Sequence, residues 1–331
     1  MQDIAERSPE IIIVGSYVQD HVWQADRFPQ PGETRRALGF STGPGGKGFN
    51  QAIACVRQLG KALFIGALGN DALAKSARRF AQSEKLACAW LIVDQVPTAA
   101  AGIIVNTEGA NQIMVNLAAN EHLSTEFLRN QSARFASARL LLVQLENNLD
   151  AVRSALELAA EHGLLRVLNP APMHADVDAP LLALCDVITP NETEFGQLMA
   201  RICGHSIDAS DVAASSDEEL HRLCRKLGVA TIIITLGAAG CFVSHASDSL
   251  RGDRSDHYRV GAESVQVVDT TGAGDSFSGA LVAMLSRQPE QPFVNAVRHA
   301  SRVAAMGTEK SGAALAIPRH EDVIARFGPA T

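Results

Sequence analysis

The sequence predicts an α/β fold, a doubly wound, mostly parallel sheet flanked by helices, with a small antiparallel β lid projecting from it. Three observations carry this. Short apolar runs without polar alternation, such as Ile11-Ile12-Ile13-Val14, need burial on both faces. Segments with apolar residues at helical spacing lie between those runs. Two stretches break the rhythm, with strand-like pieces and no helix between them.

In chain order, the first strand is Ile11–Val14, closed by Gly15. A helix is expected over residues 50–59, where Ala52, Ile53, Val56 and Leu59 share a face. A strand over 62–68 and a helix over 72–83 follow. Further strands are expected at 140–144, 166–168, 187–189 and 231–235, with helices at 150–161 and 217–227 among them. This alternation implies right-handed βαβ units. The exceptions are residues 16–41, which hold the turn Pro29-Gln30-Pro31-Gly32-Glu33, and residues 101–117, a hairpin around Glu108 to Asn111. They divide the chain into a core (1–15, 42–100 and 118–331) and a lid (16–41 and 101–117); an ordinary surface hairpin is the alternative.

Composition narrows the function. Apolar residues at 47% supply a core, and charged residues at 20% are too few for a disordered chain. The net charge is −7 and no basic run exceeds a pair such as Arg35-Arg36, which argues against nucleic acid as a partner. The six cysteines include no closely spaced pair, so reduced thiols are expected rather than a zinc cage or disulfides. The first residues, Met1 to Arg7, are polar, unlike a signal peptide, and no apolar run spans a membrane; a cytoplasmic protein is expected.

Three segments carry chemistry. Gly43-Pro44-Gly45-Gly46-Lys47-Gly48-Phe49-Asn50 leads into a helix, and its glycines let backbone N–H groups approach an oxygen-rich ligand. It is not a P-loop, because Gly48 follows Lys47; a purely structural turn is the alternative. Val267-Val268-Asp269-Thr270-Thr271-Gly272-Ala273-Gly274-Asp275 reads as a strand end, a turn and a helix start. Free amides of residues 272–275 suit an anion hole, and Asp275 suits a general base, unless it only caps the helix. In Thr189-Pro190-Asn191-Glu192-Thr193-Glu194, Asn191 and Glu194 lie one helical turn apart and offer oxygen ligands for hydrated Mg²⁺; a helix cap is the competing role.

These segments, in this order, resemble the ribokinase-like (PfkB) carbohydrate kinases from about Ile11 to Pro318. Supporting pieces are Gln144-Leu145-Glu146, Leu168-Asn169-Pro170 and Thr235-Leu236-Gly237. The resemblance implies transfer of the γ-phosphate of ATP to the primary hydroxyl of a pentose, foremost D-ribose, giving the 5-phosphate. It implies that Asp20, Gly46, Lys47, Asn50 and Glu146 hold the sugar and that Asp275 is the base. Gly272, Ala273 and Gly274 would stabilise the transferring phosphoryl group. Asn191, Thr235, Gly237, Gly274 and Ser301 would meet the nucleotide, and Glu194 would hold Mg²⁺ through water. Asp269, Thr271, Thr308, Ser311 and Ala313 match a monovalent-cation (K⁺) site. A homodimer through the lid is also implied, and Ile104 and Ile113-Met114-Val115 offer it an apolar face.

One position departs from the pattern. Family members acting on ribose carry Asn two residues before the sugar-binding Asp, and this chain has Val18. An apolar residue there matches members acting on 2-deoxyribose, unless Gln19 or water compensates. Another furanose or a nucleoside remains an alternative acceptor, and a catalytically silent sugar sensor is the reading from another class.

Overall fold

Residues 8–330 are described by a computed structural model; the polar segment 1–7 lies outside them. The strands are β1 (Ile11–Val14), β2 (Val18–Gln24), β3 (Gly39–Gly45), β4 (Ala62–Gly69), β5 (Ala87–Val93), β6 (Ala100–Val105), β7 (Asn111–Asn116), β8 (Leu140–Val143), β9 (Leu165–Leu168), β10 (Val187–Ile188), β11 (Thr231–Thr235), β12 (Cys241–His245) and β13 (His257–Val260). Nine of them form one sheet in the order β13-β12-β11-β10-β9-β8-β1-β4-β5. All its ladders are parallel except β11/β12 and β12/β13.

The apolar run of β1 explains its central place. Ile12 and Val14 enter one core layer while Ile11 and Ile13 enter the other, as side chains alternate along a strand. Full burial of each such side chain is worth roughly 1.5–3 kcal/mol. The helices Leu149–Glu161, Glu192–Cys203 and Asp217–Lys226 cover the first face. Lys47–Arg57, Ala273–Arg287 and Phe293–Gly307 cover the second. Lys47–Arg57 and Ala273–Arg287 approach closely at Gly279, where an added Cβ would lie 2.2 Å from the Gln51 carbonyl oxygen. That contact brings two of the motif-bearing helices together.

The small sheet has the order β3-β2-β6-β7. Its outer ladders are antiparallel, as expected for the lid, but the central β2/β6 pair runs parallel. That pairing follows from joining two hairpin-like units, distant in sequence, side by side. β3 also runs further than the expected lid boundary, reaching Gly45 in the glycine-rich loop, so lid and loop are one continuous element.

Two further expectations change. Val267 and Val268 belong to no strand; both are exposed, and the N–H groups of Val268 and Asp269 donate to the Thr308 carbonyl. Their apolar character alone suggested a strand, but their backbone bonds go to the Thr308 carbonyl instead of to a strand. Conversely, the mixed polarity of β13 (His-Tyr-Arg-Val) concealed an edge strand.

Candidate active site

At the root of the lid, Gly46 precedes the helix Lys47–Arg57 with φ 90°, and an added Cβ would fall 2.7 Å from the Val18 nitrogen. Only glycine suits both constraints. The loop is locked from the opposite strand end: Glu146 Oε2 accepts from the Lys47 backbone N–H at 2.8 Å and from the Ser16 hydroxyl.

Asp275 sits in the first turn of Ala273–Arg287, and its carboxylate is clamped by the preceding motif. Asn50 Nδ2 donates to Oδ2 at 2.9 Å and Gln51 Nε2 donates to Oδ1 at 3.0 Å. The capping alternative fails, since the N-cap position is Gly272 and the cap makes no side-chain bond. Gln51 is held in turn by Asn169 Oδ1 at 3.0 Å and by Gln144 Nε2, which donates to its carbonyl at 2.6 Å. Asn50 Oδ1 is buried with no partner among the described residues. This leaves a hydrogen-bond acceptor open beside Asp275.

The charges around this point are linked. Burial raises Asp275 above the ordinary aspartate range, although Lys47, Asn50 and Gln51 offset part of the rise. Lys47 loses hydration, yet Asp275, Glu146 and Glu194 outweigh that loss and raise its pKa. Asp20 is pushed up to about 7, first by burial and then by Glu146 and Asp275. Thus residues from all three motifs converge electrostatically on one lysine.

Asn191 and Glu194 form the capping box of Glu192–Cys203. Asn191 Oδ1 accepts from the Glu194 N–H at 2.8 Å, and Glu194 Oε2 accepts from the Asn191 N–H at 2.9 Å. The cap therefore leaves Oε1 without a hydrogen bond among the described residues, and its hard oxygen fits a hydrated dication. Burial raises the Glu194 pKa, partly offset by the Asn191 amide and Lys47. Asn191 bridges to Thr235, Thr235 pairs with Cys241, and Cys241 Sγ lies 3.8 Å from Ser301 Oγ, which links the expected nucleotide contacts. Gly237 opens a short helical turn just beyond.

On the other side of the glycine turn, Asp269 Oδ1 accepts from Thr271 N–H and Oδ2 from Gly312 N–H, both at 2.9 Å. This ties the turn to the segment holding Thr308, exposed Ser311 and Ala313. The amide of Ala273 departs from its expected role in an anion hole, because it donates to the Thr270 carbonyl at 3.1 Å. The amides of Gly272, Gly274 and Asp275 donate to no backbone carbonyl among the described residues and retain that capacity.

Val18 is buried at the lid root with Ala99 and Ala101. Gln19 does not compensate for it: its Oε1 accepts from the Tyr17 hydroxyl at 2.8 Å, and its Nε2 donates to the Gly43 carbonyl at 2.7 Å. Alternation along β2 puts Val18 and Asp20 on one face and Gln19 on the other. Sequence reading assigned no role to Ser16, Gln51, Gln144 or Asn169. The available signal was a set of amide and hydroxyl side chains beside apolar strands and helices.

Residues 8–320 match the family model described as pfkB family carbohydrate kinase. The chain belongs to that family. It is 35% identical to ribokinase of Haemophilus influenzae, with 95% of this chain and 97% of that protein covered. Identity to deoxyribokinase of Salmonella typhi is 32%, covering 82% and 83%. Ribokinase from Giardia lamblia superposes with a TM-score of 0.85 at 27% identity, over 96% of this chain and 98% of the other. Arabidopsis thaliana ribokinase complexed with ribose and ATP gives 0.80 at 25% identity, over 96% and 98%. As a PfkB kinase the protein is a phosphotransferase acting on a sugar hydroxyl, and the family implies use of ATP. No helix among the described residues is long and apolar enough to cross a membrane.

Proposed function

We propose that the protein transfers the γ-phosphate of ATP to the primary hydroxyl of D-ribose, giving ribose 5-phosphate. The observation that carries the chemistry is the buried Asp275 carboxylate, clamped by Asn50 and Gln51 beside an open acceptor. Ribokinase relatives matched over nearly their whole length support the acceptor.

Asp20, Gly46, Lys47, Asn50 and Glu146 hold the sugar so that its primary hydroxyl meets Asp275. Asp275 takes the hydroxyl proton as the oxygen attacks the γ-phosphorus, and the bond to the β-bridging oxygen breaks to leave ADP. The free amides of Gly272 and Gly274 face the charge that builds on the transferring group, and Lys47 adds a cation. Thr235, Gly237, Asn191 and Ser301 position the nucleotide. Glu194 and Asn191 would hold hydrated magnesium, which would supply charge neutralisation at the phosphates. Asp269, Thr271 and the loop through Thr308, Ser311 and Ala313 would hold a monovalent cation, K⁺, which would add positive charge beside the anion hole.

The lid closes over the sugar and joins two subunits. β7 is exposed along its length, including Ile113, Met114 and Val115, and a hollow of about 580 Å³ lined by Trp23, Ile104 and Met114 lies against the lid. Apolar surface of this kind suits a second copy of the chain. The six free cysteines fit a cytoplasmic setting.

A coupled ADP-release assay over ribose, 2-deoxyribose, fructose and nucleosides, with and without K⁺, tests this reading. Ribose is expected to give the highest kcat/KM. Preference for 2-deoxyribose would transfer the assignment to the reading favoured by Val18, and absence of turnover on every acceptor would remove it.

A further inference from the structure

We propose that His221, Asp256 and His257 form a binding site for one transition-metal dication of the zinc class, separate from the catalytic centre. His221 lies on the helix Asp217–Lys226, Asp256 ends the preceding loop, and His257 begins β13. One ligand atom from each lies within 4.8 Å of the other two. The Asp256 carboxylate receives both rings: Oδ1 is 2.8 Å from His257 Nδ1, and Oδ2 is 3.7 Å from His221 Nε2. Tetrahedral zinc with N and O ligands needs donor separations of about 3.3 Å, given bonds of about 2.0–2.1 Å. The two contacts at Asp256 lie on either side of that value.

The surroundings resemble the supporting layer of a metal centre. His221 Nδ1 lies 2.9 Å from Ser244 Oγ, which accepts from Arg225 Nε at 3.1 Å. Donation of Nδ1–H to that hydroxyl leaves Nε2 with its lone pair toward Asp256, the arrangement that fixes a metal-ligating tautomer. Arg225 also donates to the carbonyls of Val229 and Ser244, both at 3.0 Å. The Asp256 backbone is anchored as well, since its carbonyl accepts from the His245 N–H at 2.6 Å. All three side chains are partly exposed, leaving room for water as a further ligand.

Sheet register separates this cluster from the nucleotide contacts. Cys241 pairs with Thr235 and Val260, whereas Ser244 pairs with Ile232 and His257. Three residues along β12 amount to about 10 Å. Two imidazoles and one carboxylate favour zinc, nickel or copper over magnesium. A bound ion would clamp the helix Asp217–Lys226 to the edge strand.

The test titrates the metal-stripped full-length chain with Zn²⁺ by calorimetry and with Co²⁺ by visible absorption, in excess Mg²⁺. One equivalent is expected to bind, and H221A and D256N should each weaken binding at least tenfold, in line with loss of a metal-centre contact. H257Q provides a third, milder change, and circular dichroism verifies that each variant is folded. Absence of saturable binding overturns the site and leaves a hydrogen-bonded His–Asp–His cluster. One-site binding unchanged in folded H221A and D256N also overturns it, because the ion would then sit on other donors.

Discussion

The two sides of the glycine turn use the same residue type in opposite ways. On the Asp275 side, Asp275, Glu146 and Glu194 act on one lysine, Asp275 and Asp20 are raised above the ordinary aspartate range, and Asn50 keeps an acceptor unpaired among the described residues. Across the turn, burial opposes the charge on Asp269, but the amides of Gly312 and Thr271 outweigh it and lower the pKa. The first region carries unspent polar capacity, whereas Asp269 is satisfied by the chain itself. The Asp275 side is therefore marked by polar capacity that the free fold leaves open.

The sharpest way to break this contrast is Asp275→Asn. Turnover should fall by about 10²–10⁴-fold, the range for losing a general base, while calorimetry finds sugar affinity nearly unchanged. Near-normal turnover would remove Asp275 from the base role. For the wild type, kcat/KM should decline as pH falls through a range above that of an ordinary aspartate, because the base must be ionised. Asn50→Ala removes a bond that lowers the Asp275 pKa, so its acidic limb should move to higher pH.

Asp20→Asn probes the same side with a smaller effect, about tenfold weaker sugar binding as a charged hydrogen bond is lost. Its stability should change in the other direction. The folded state holds the Asp20 proton up to about pH 7, so stability declines as pH rises from about 4, the unfolded aspartate value, to about 7. The variant should show a shallower decline in Tm across that window.

On the satisfied side, Asp269→Ala should cost about 2 kcal/mol from two lost hydrogen bonds, read as a lower denaturation midpoint. Because the folded pKa is depressed, wild-type Asp269 contributes fully above the ordinary aspartate range and loses that contribution as pH falls below it. An Asp269→Ala chain as stable as wild type would contradict the contrast. The smallest effect expected is from Val18→Asn, which should raise the ribose to 2-deoxyribose ratio of kcat/KM about threefold to tenfold, the worth of one hydrogen bond. An unchanged ratio would take Val18 out of acceptor selection.

Much of this was legible before any coordinates. Apolar runs at β1, β8 and β11 marked the parallel core, and the three motif segments marked residues that do converge. Other features were hidden for physical reasons. Val267 and Val268 resemble a strand, but sheet membership depends on an available partner. Asn191 and Glu194 serve as a cap and still present a free oxygen, a coexistence that spacing alone left open.

By itself, the sequence determined the alternation of buried strands and covering helices, since side-chain hydrophobicity and glycine placement are local properties. It also determined which carboxylates, amides and lysine were available for phosphoryl transfer. Tertiary structure alone decided that Gln51 and Asn50 grip Asp275, that Gln19 turns away from the lid face shared by Val18 and Asp20, and that Asp269 is satisfied by Gly312. Each of those depends on contacts between segments far apart in the chain, where burial sets how strongly a charge or an unpaired group is felt.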